Sequence, residues 1–345
     1  LPRPGSAMRD ALEVIPVAGI GRITPGADLA EAIATAAPWL RDGDVLVVTS
    51  KIVSKAEGQL VDLPPSPADR DAARQEILAA QTARVVARRG PTQIVVTHHG
   101  FVMAAAGIDN SNVDPSQLVL LPKDPDASAR ALRAALHERF NVDVAVIVSD
   151  TMGRPWRHGL TDVALGVAGI APILDHRGEI DPYGNELQLT EMAVVDELAG
   201  AAELVKGKCD QVPVAVVRGY LDRPLSTDSP LSTGAVALIR DSATDLFSLG
   251  TAEARAAGLR DAAALGPVDG VPVSIPGLPA PLVVAPSTIV EVLASGDIRL
   301  TCTDPAGRIA LGIDTHRLRA ALAAEQRSTT VTLTDEAAIV ALTVR

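Results

Sequence analysis

Apolar and polar positions along the chain switch repeatedly between a helical and an extended period. Leu29, Ile33 and Leu40 follow Asp28, with Glu31 three residues after it, a capping-box-like start. This predicts a helix over 28–40, which Pro38 ends or kinks. Asp42-Gly43-Asp44 then reads as a turn and 45–49 as a buried strand. Ser66-Pro67-Ala68-Asp69 opens a charged helix to about Arg89, with proline at its first position, and 94–97 is a second strand. Asp126 or Ser128 begins a helix through Phe140. The near-continuous apolar run 142–148 reads as a strand covered on both faces, ending in Ser149-Asp150-Thr151. A helix over 190–205 and a strand over 212–217 complete this part.

Beyond Leu249 the pattern changes. An Ala-rich helix to about Ala264 is followed by a Pro-rich stretch, and a short helix is expected over 287–294. Strands are expected over 298–303, 308–313 and 329–333, with a helix over 315–325 between the last two. The fold class is therefore α+β, read as a flexible start (1–12), a main domain (13–248) and a small α+β appendage (249–345).

Composition narrows the possibilities. Aromatic residues are only 2% of the 345, so the stacking platforms of single-strand nucleic-acid binders are missing. The net charge of −11 gives no global basic field for nucleic acid or an anionic membrane; an anionic ligand needs a local cationic pocket. Cys209 and Cys302 lack metal or disulfide spacing, which suits a reducing cytoplasm. The uncharged run 270–290 is broken by five prolines, so it is not read as a membrane span, and no secretory signal is expected.

Standard nucleotide and hydrolase signatures are missing: Gly19-x-Gly21 lacks the third glycine of a dinucleotide fingerprint, and there is no P-loop, H-E-x-x-H or G-x-S-x-G. Polar clusters near strand ends remain. Ser50, Lys51, Ser54 and Lys55 offer hydroxyls and point charges to phosphate, although an exposed lysine-bearing helix start accounts for them equally. Asp109-Asn110-Ser111-Asn112 offers hard oxygen ligands or forms an Asx-type turn. Asp150 and Thr151 leave a buried strand toward Arg154, Trp156 and Arg157, a carboxylate and hydroxyl suited to a divalent ion, with guanidinium groups suited to carboxylate or phosphate. Lys206-Gly207-Lys208 either contacts phosphate or terminates a helix. Together, Asp109 and Asp150 with Lys51, Lys55, Arg154 and Arg157 suit phosphoryl transfer around divalent ions.

In this order the segments DGDVLVVTSKIVSKAEG, HGFVMAAAGIDNSNV, SDTMGRPWRHGLTDVALGVAG, DPYGNELQLTE and KGKCDQVPVAVVRGY resemble the coenzyme F420:L-glutamate ligase family (CofE, and the ligase half of FbiB) over about residues 13–248. The resemblance implies a mixed helix and sheet ligase fold, an intertwined homodimer, and addition of glutamate to F420-0. It implies GTP as co-substrate, Mg²⁺ or Mn²⁺ at two sites with K⁺ as a further cation, and an acyl-phosphate intermediate.

By position, the resemblance places Asp109 and Asp150 on one metal and Thr151 on a second. Ser50, Lys51, Lys55, Asn112 and the segment Ile20-Gly21-Arg22-Ile23 fall on GTP. Arg154, Trp156 and Arg157 are read as positioning the acceptor or glutamate beside Asp150. The chain departs from the family in two places. Some members carry an acidic or amide residue where this chain has Lys208, and 249–345 is too short for the reductase domain of about 200 residues that two-domain members carry. A GTP-dependent amide ligase for another carboxylate, or a silent nucleotide-binding assembly protein, are the alternatives.

Overall fold

A computed structural model describes residues 11–110, 114–208, 210–221, 234–334 and 337–343, and the expected flexible start 1–12 falls almost wholly outside them. The chain divides into two compact units, Leu1–Ser248 and Leu249–Arg345. The first runs β1 (Glu13–Val17), α1 (Leu29–Ala36), β2 (Val45–Thr49), α2 (Ser50–Ala56), β3 (Leu60–Asp62), α3 (Pro67–Ala80), β4 (Thr82–Arg89), β5 (Thr92–Thr97), β6 (Val102–Ala104), β7 (Gln117–Val119), α4 (Pro125–Phe140), β8 (Ala145–Gly153), β9 (Leu160–Ala168), β10 (Leu174–Asp175), β11 (Glu191–Met192), α5 (Val194–Lys206) and β12 (Val214–Arg218).

Its main sheet has the order β1-β12-β2-β8-β9, with β2 and β8 parallel and the other pairs antiparallel. The unbroken apolar runs follow from helices on both faces. Leu46 and Val48 of β2 join Ile33 of α1 and Leu132 and Leu136 of α4 in one cluster. Val45 and Val47 join Val195, Leu198 and Ala202 of α5 in the other. The start of α4 lies so close to β9 that a Cβ on Gly166 would come within 2.1 Å of the Pro125 carbonyl oxygen. The Asp126 carboxylate fixes this junction by accepting from the Val167 backbone N–H at 2.8 Å.

Several element boundaries differ from the sequence expectation. The Asp28 carboxylate does cap α1, accepting from the Glu31 N–H at 3.0 Å, but the helix stops at Ala36, ahead of Pro38. α3 ends at Ala80 rather than near Arg89. Thr82, Val85 and Val86, β-branched residues, belong to β4, which pairs with β5. α5 starts at Val194, because Glu191 and Met192 pair with β10 first. β8 continues past Val148 to Gly153, so Asp150 and Thr151 are strand residues rather than loop residues.

The second unit runs α6 (Thr251–Ala264), β13 (Val271–Val273), β14 (Leu282–Val284), β15 (Thr288–Val292), β16 (Ile298–Cys302), α7 (Arg308–Ala324), β17 (Ser328–Leu333) and β18 (Ala337–Thr343), with a sheet of order β15-β16-β18-β17. The helix expected over 287–294 is a strand, since Thr288, Ile289, Val290 and Val292 pair with β16. The strand expected over 308–313 is the beginning of α7, whose Leu311, Leu318 and Leu322 meet Leu300 and Val340 of the sheet in one core. Arg317 of α7 is buried: it donates to the carbonyls of Ala263 and Val283 and pairs with Asp314 at 3.0 Å.

Candidate active site

The parallel pairing of β2 and β8 sets Thr49 opposite Ser149, so the C-terminal ends of both strands lie side by side. Polar residues follow at once on each. Ser50 and Lys51 open α2, while Asp150 and Thr151 continue β8. A break in register against β9 falls between Val148 and Ser149, the kind of bulge that re-aims side chains beside functional sites.

Alternation along β8 then divides the site in two. On one side, Asp109 is delivered by a loop whose backbone bridges to Val119, with N–H to O distances of 3.0 and 2.8 Å. Just upstream, Ala105, Ala106 and Gly107 are consecutive left-handed residues, at φ 49, 54 and 70°. Each alanine there costs about 1–2 kcal/mol, and a Cβ on Gly107 would press to 2.8 Å from the Leu121 side chain. The Asp109 carboxylate meets Lys51 Nζ at 2.5 Å.

Asp150 belongs to the same side electrostatically. Burial, together with the carboxylates of Asp162 and Asp109, pushes its pKa up from 3.8 to about 6, against the opposing pull of the Thr151 backbone N–H and the Lys51 ammonium. Lys55 shows the mirror-image effect: burial and the neighbouring Lys51 and Arg22 cations lower its pKa. Arg22, Lys51 and Lys55 thus form a cationic lobe beside an anionic lobe of Asp109 and Asp150, with Lys51 at the seam.

On the other side, Ser149 and Thr151 reach toward α5. Asp162 of β9, directly opposite Thr151, accepts from Ser149 Oγ at 2.9 Å, Thr151 Oγ1 at 2.8 Å and Lys206 Nζ at 2.8 Å. Lys206 and Asp162 are both 2% exposed. These hydrogen bonds and the Lys206 charge hold the Asp162 carboxyl below its ordinary pKa, although burial alone acts in the opposite direction. Glu203 stands 3.4 Å from Lys206 and 2.8 Å from Lys208, and Lys208 Nζ donates to Thr151 Oγ1 at 2.5 Å. A cleft of about 600 Å³, lined by Met152, Arg154, Thr161, Asp162, Asp196 and Gly200 among others, opens next to this network.

The structure therefore brings together Asp109, Asp150, Thr151, Lys51, Lys55 and Arg22 from the residues singled out in the sequence. Ser50 is buried at the start of α2. Ile20 and Ile23 are core residues, so the 20–23 turn presents only its backbone, including Gly21 at φ 72°, and the Arg22 side chain. Asn112 lies outside the described residues. Arg154 borders the cleft, whereas Arg157 stands at the exposed β8–β9 tip beside Trp156, a left-handed residue (φ 68°) whose ring meets Phe247 edge-on at 5.6 Å. Asp162 and Glu203 had no assigned role in the sequence reading. The signal for Asp162 was a lone carboxylate in the apolar strand LTDVALGVA, which demands a buried partner.

Among the described residues, no group of three or more His, Cys, Asp or Glu side chains could hold a metal ion by itself, and no helix is long and apolar enough to cross a membrane. The fold and site define an α+β protein that gathers paired carboxylates and a cluster of cations where two parallel strands end. Comparison with known proteins places the chain itself among ligases.

The family profile described as F420-0:Gamma-glutamyl ligase matches residues 19–219. Over 253 residues, 68% of this chain and 98% of the relative, the chain is 42% identical to the coenzyme F420:L-glutamate ligase of Methanothermobacter thermautotrophicus. It is 41% identical over 249 residues to the protein of that name from Methanopyrus kandleri, covering 68% of this chain and 97% of the relative. With the Haloarcula marismortui counterpart the identity is 43% over 226 residues, 61% of this chain and 88% of the relative. The chain belongs to the F420-0:γ-glutamyl ligase family and is an enzyme of the ligase class.

Proposed function

We propose that this chain joins L-glutamate to coenzyme F420-0 with GTP as energy source, continuing with γ-linked additions, and that it works in the cytoplasm. The observation that carries the reading is the pairing of Asp109 and Asp150 with Lys51 at the parallel strand ends. A carboxylate whose ionisation is opposed by the charge of a neighbouring carboxylate is suited to share a cation with it. Mg²⁺ is commonly held by one or two carboxylates, with phosphate oxygens and water completing its shell, so Asp109 and Asp150 fit Mg²⁺ or Mn²⁺ without a third protein carboxylate. A bound divalent ion supplies charge neutralisation on the triphosphate.

The chain's own residues contribute binding and alignment. Lys51, Lys55 and Arg22 receive the GTP phosphates, the lysines as point charges and the guanidinium as a fork of donors. The acceptor carboxylate oxygen attacks the γ-phosphorus and GDP departs, leaving an acyl phosphate. The glutamate amine then attacks the acyl carbon, phosphate leaves, and the ammonium proton passes to solvent. Arg154, on the wall of the cleft, holds a carboxylate of acceptor or glutamate, and Arg157 at the hairpin tip extends that hold.

The homodimer reading is supported by an exposed apolar surface around β10 and β11, where Ile180, Tyr183 and Leu189 are 64%, 92% and 91% exposed. Replacing glutamate with hydroxylamine tests the acyl phosphate directly. F420-0, GTP and enzyme should then yield the F420-0 hydroxamate with stoichiometric GDP. GDP release without hydroxamate would refute the acyl-phosphate route.

A further inference from the structure

The Thr151 hydroxyl has its hydrogen-bonding capacity committed in a specific direction. Its proton goes to Asp162 Oδ1 at 2.8 Å, which turns its lone pairs away from β9. A hydroxyl has one donor and two acceptor lone pairs, so Thr151 Oγ1 is held as an acceptor facing the site, and the group it accepts from is the Lys208 ammonium at 2.5 Å. The position a second divalent ion would take beside Thr151 is therefore filled by a side-chain cation.

The surrounding charges are built for that cation. Glu203, on the last turn of α5, splits its carboxylate between two lysines, with Oε1 at 2.8 Å from Lys208 and Oε2 at 3.4 Å from Lys206. Lys206 in turn neutralises Asp162 at 2.8 Å, fully buried. On the α5 side, Asp162 and Glu203 are thus matched by Lys206 and Lys208, and both lysines stand where the C-terminal end of the helix dipole favours positive charge. On the other side, Asp109 and Asp150 stand close enough for the Asp109 charge to oppose ionisation of Asp150, with Lys51 beside them, and they are the pair that offers carboxylate oxygens to a divalent ion.

We infer that Lys208 is a built-in cation that replaces a second metal ion, so that each chain binds one divalent ion, at Asp109 and Asp150, while the Lys208 ammonium neutralises phosphate charge on the Thr151 side. This rests on the reading of the site as a GTP-dependent ligase. Asp162 and Lys206 are positioning residues in it: they orient the Thr151 hydroxyl and touch no substrate. An ammonium donates hydrogen bonds to phosphate oxygens and neutralises one charge without a coordination shell. The second position accordingly works at any divalent concentration, whereas the first needs free metal.

The count of bound ions tests this without reference to turnover. The full chain saturated with GDP is titrated with Mn²⁺, and free Mn²⁺ is read by electron paramagnetic resonance. The wild-type protein should bind one Mn²⁺ per chain and Asp150→Asn none. Lys208→Glu, which puts a carboxylate beside Thr151, should bind two. Lys208 is exposed over 63% of its side chain, and matching melting curves for wild type, Lys208→Gln and Lys208→Glu check that the fold is kept.

Two Mn²⁺ per wild-type chain, one of them lost in Asp150→Asn, would overturn the inference and leave the ligase reading standing. A single Mn²⁺ in both wild type and Lys208→Glu would also overturn it, because Lys208 would then not be what excludes the second ion. No Mn²⁺ in the wild type, with GDP bound or not, would overturn both the inference and the metal-dependent reading of Asp109 and Asp150.

Discussion

Replacing Asp150 with Asn is expected to stabilise the metal-free protein while it sharply lowers turnover. A carboxyl lifted from 3.8 to about 6 has its charged form disfavoured in the fold by on the order of 3 kcal/mol. The amide removes that charge from between Asp109 and Asp162 and keeps an oxygen to accept the Thr151 N–H, now at 2.8 Å. The folded protein binds the Asp150 proton more tightly than the unfolded chain does. That advantage is full below about pH 4 and is lost as pH rises through about 6. At pH 7.5 wild type therefore lacks it altogether.

In a chelator-treated melt at pH 7.5, Asp150→Asn should exceed wild type in Tm by several degrees, since about 1 kcal/mol moves Tm by roughly 2–4 °C in a domain of this size. The gap should narrow toward pH 5. Mg²⁺ should raise the wild-type Tm and leave the variant unchanged. Turnover should fall by about a thousandfold, as expected for several kcal/mol of lost charge stabilisation. A variant that melts below wild type at pH 7.5, or one that Mg²⁺ stabilises as much as wild type, would refute the reasoning.

Other substitutions separate binding from support. Lys55→Ala should weaken GTP binding by about tenfold, the scale of one charge-assisted phosphate contact, measured by calorimetry; unchanged affinity would remove Lys55 from the phosphate site. Lys206→Met should lower stability by about 3–5 kcal/mol in urea unfolding, because Asp162 would remain buried without its cation. Gly166→Ala should cost more than about 2 kcal/mol, since the new methyl group collides with the α4 backbone rather than a movable side chain. Asp314→Ala, in the second unit, should cost about 3–5 kcal/mol by leaving Arg317 buried without its counter-charge.

Of the five central strands, β2, β8 and β12 were legible because they are buried on both faces, and 45–49 in particular is apolar from end to end, whereas β1, partly exposed, and β9, interrupted by Asp162, were not read as strands. The errors fall where local pattern and tertiary pairing disagree. Residues 82–89 carry arginines that suit a helix, but pairing with β5 makes them a strand. Residues 308–313 are rich in β-branched and small residues, yet they begin a helix because Leu311 continues the spacing of Leu318 and Leu322 into the core.

Within the site, Asp109, Asp150, Thr151, Lys51 and Lys55 were readable as polar residues beside buried strands. The role of Asp162 was not, because it depends on the β8–β9 register, which places it across from Thr151 and which no local spacing encodes. Lys206 was visible only as a phosphate contact or a helix terminator. Its function as a buried partner requires knowing that α5 lies against β9.

Glutamate ligation to F420-0 driven by GTP leaves a product whose mass reports it. The most direct measurement incubates the purified protein with F420-0, L-glutamate, Mg²⁺ and GTP, omits each in turn, and weighs the deazaflavin products by mass spectrometry. Products heavier by whole glutamyl units are expected in the complete mixture and in no omission. An unchanged F420-0 mass in the complete mixture would contradict it, and GDP release in that same sample would point to a different carboxylate acceptor.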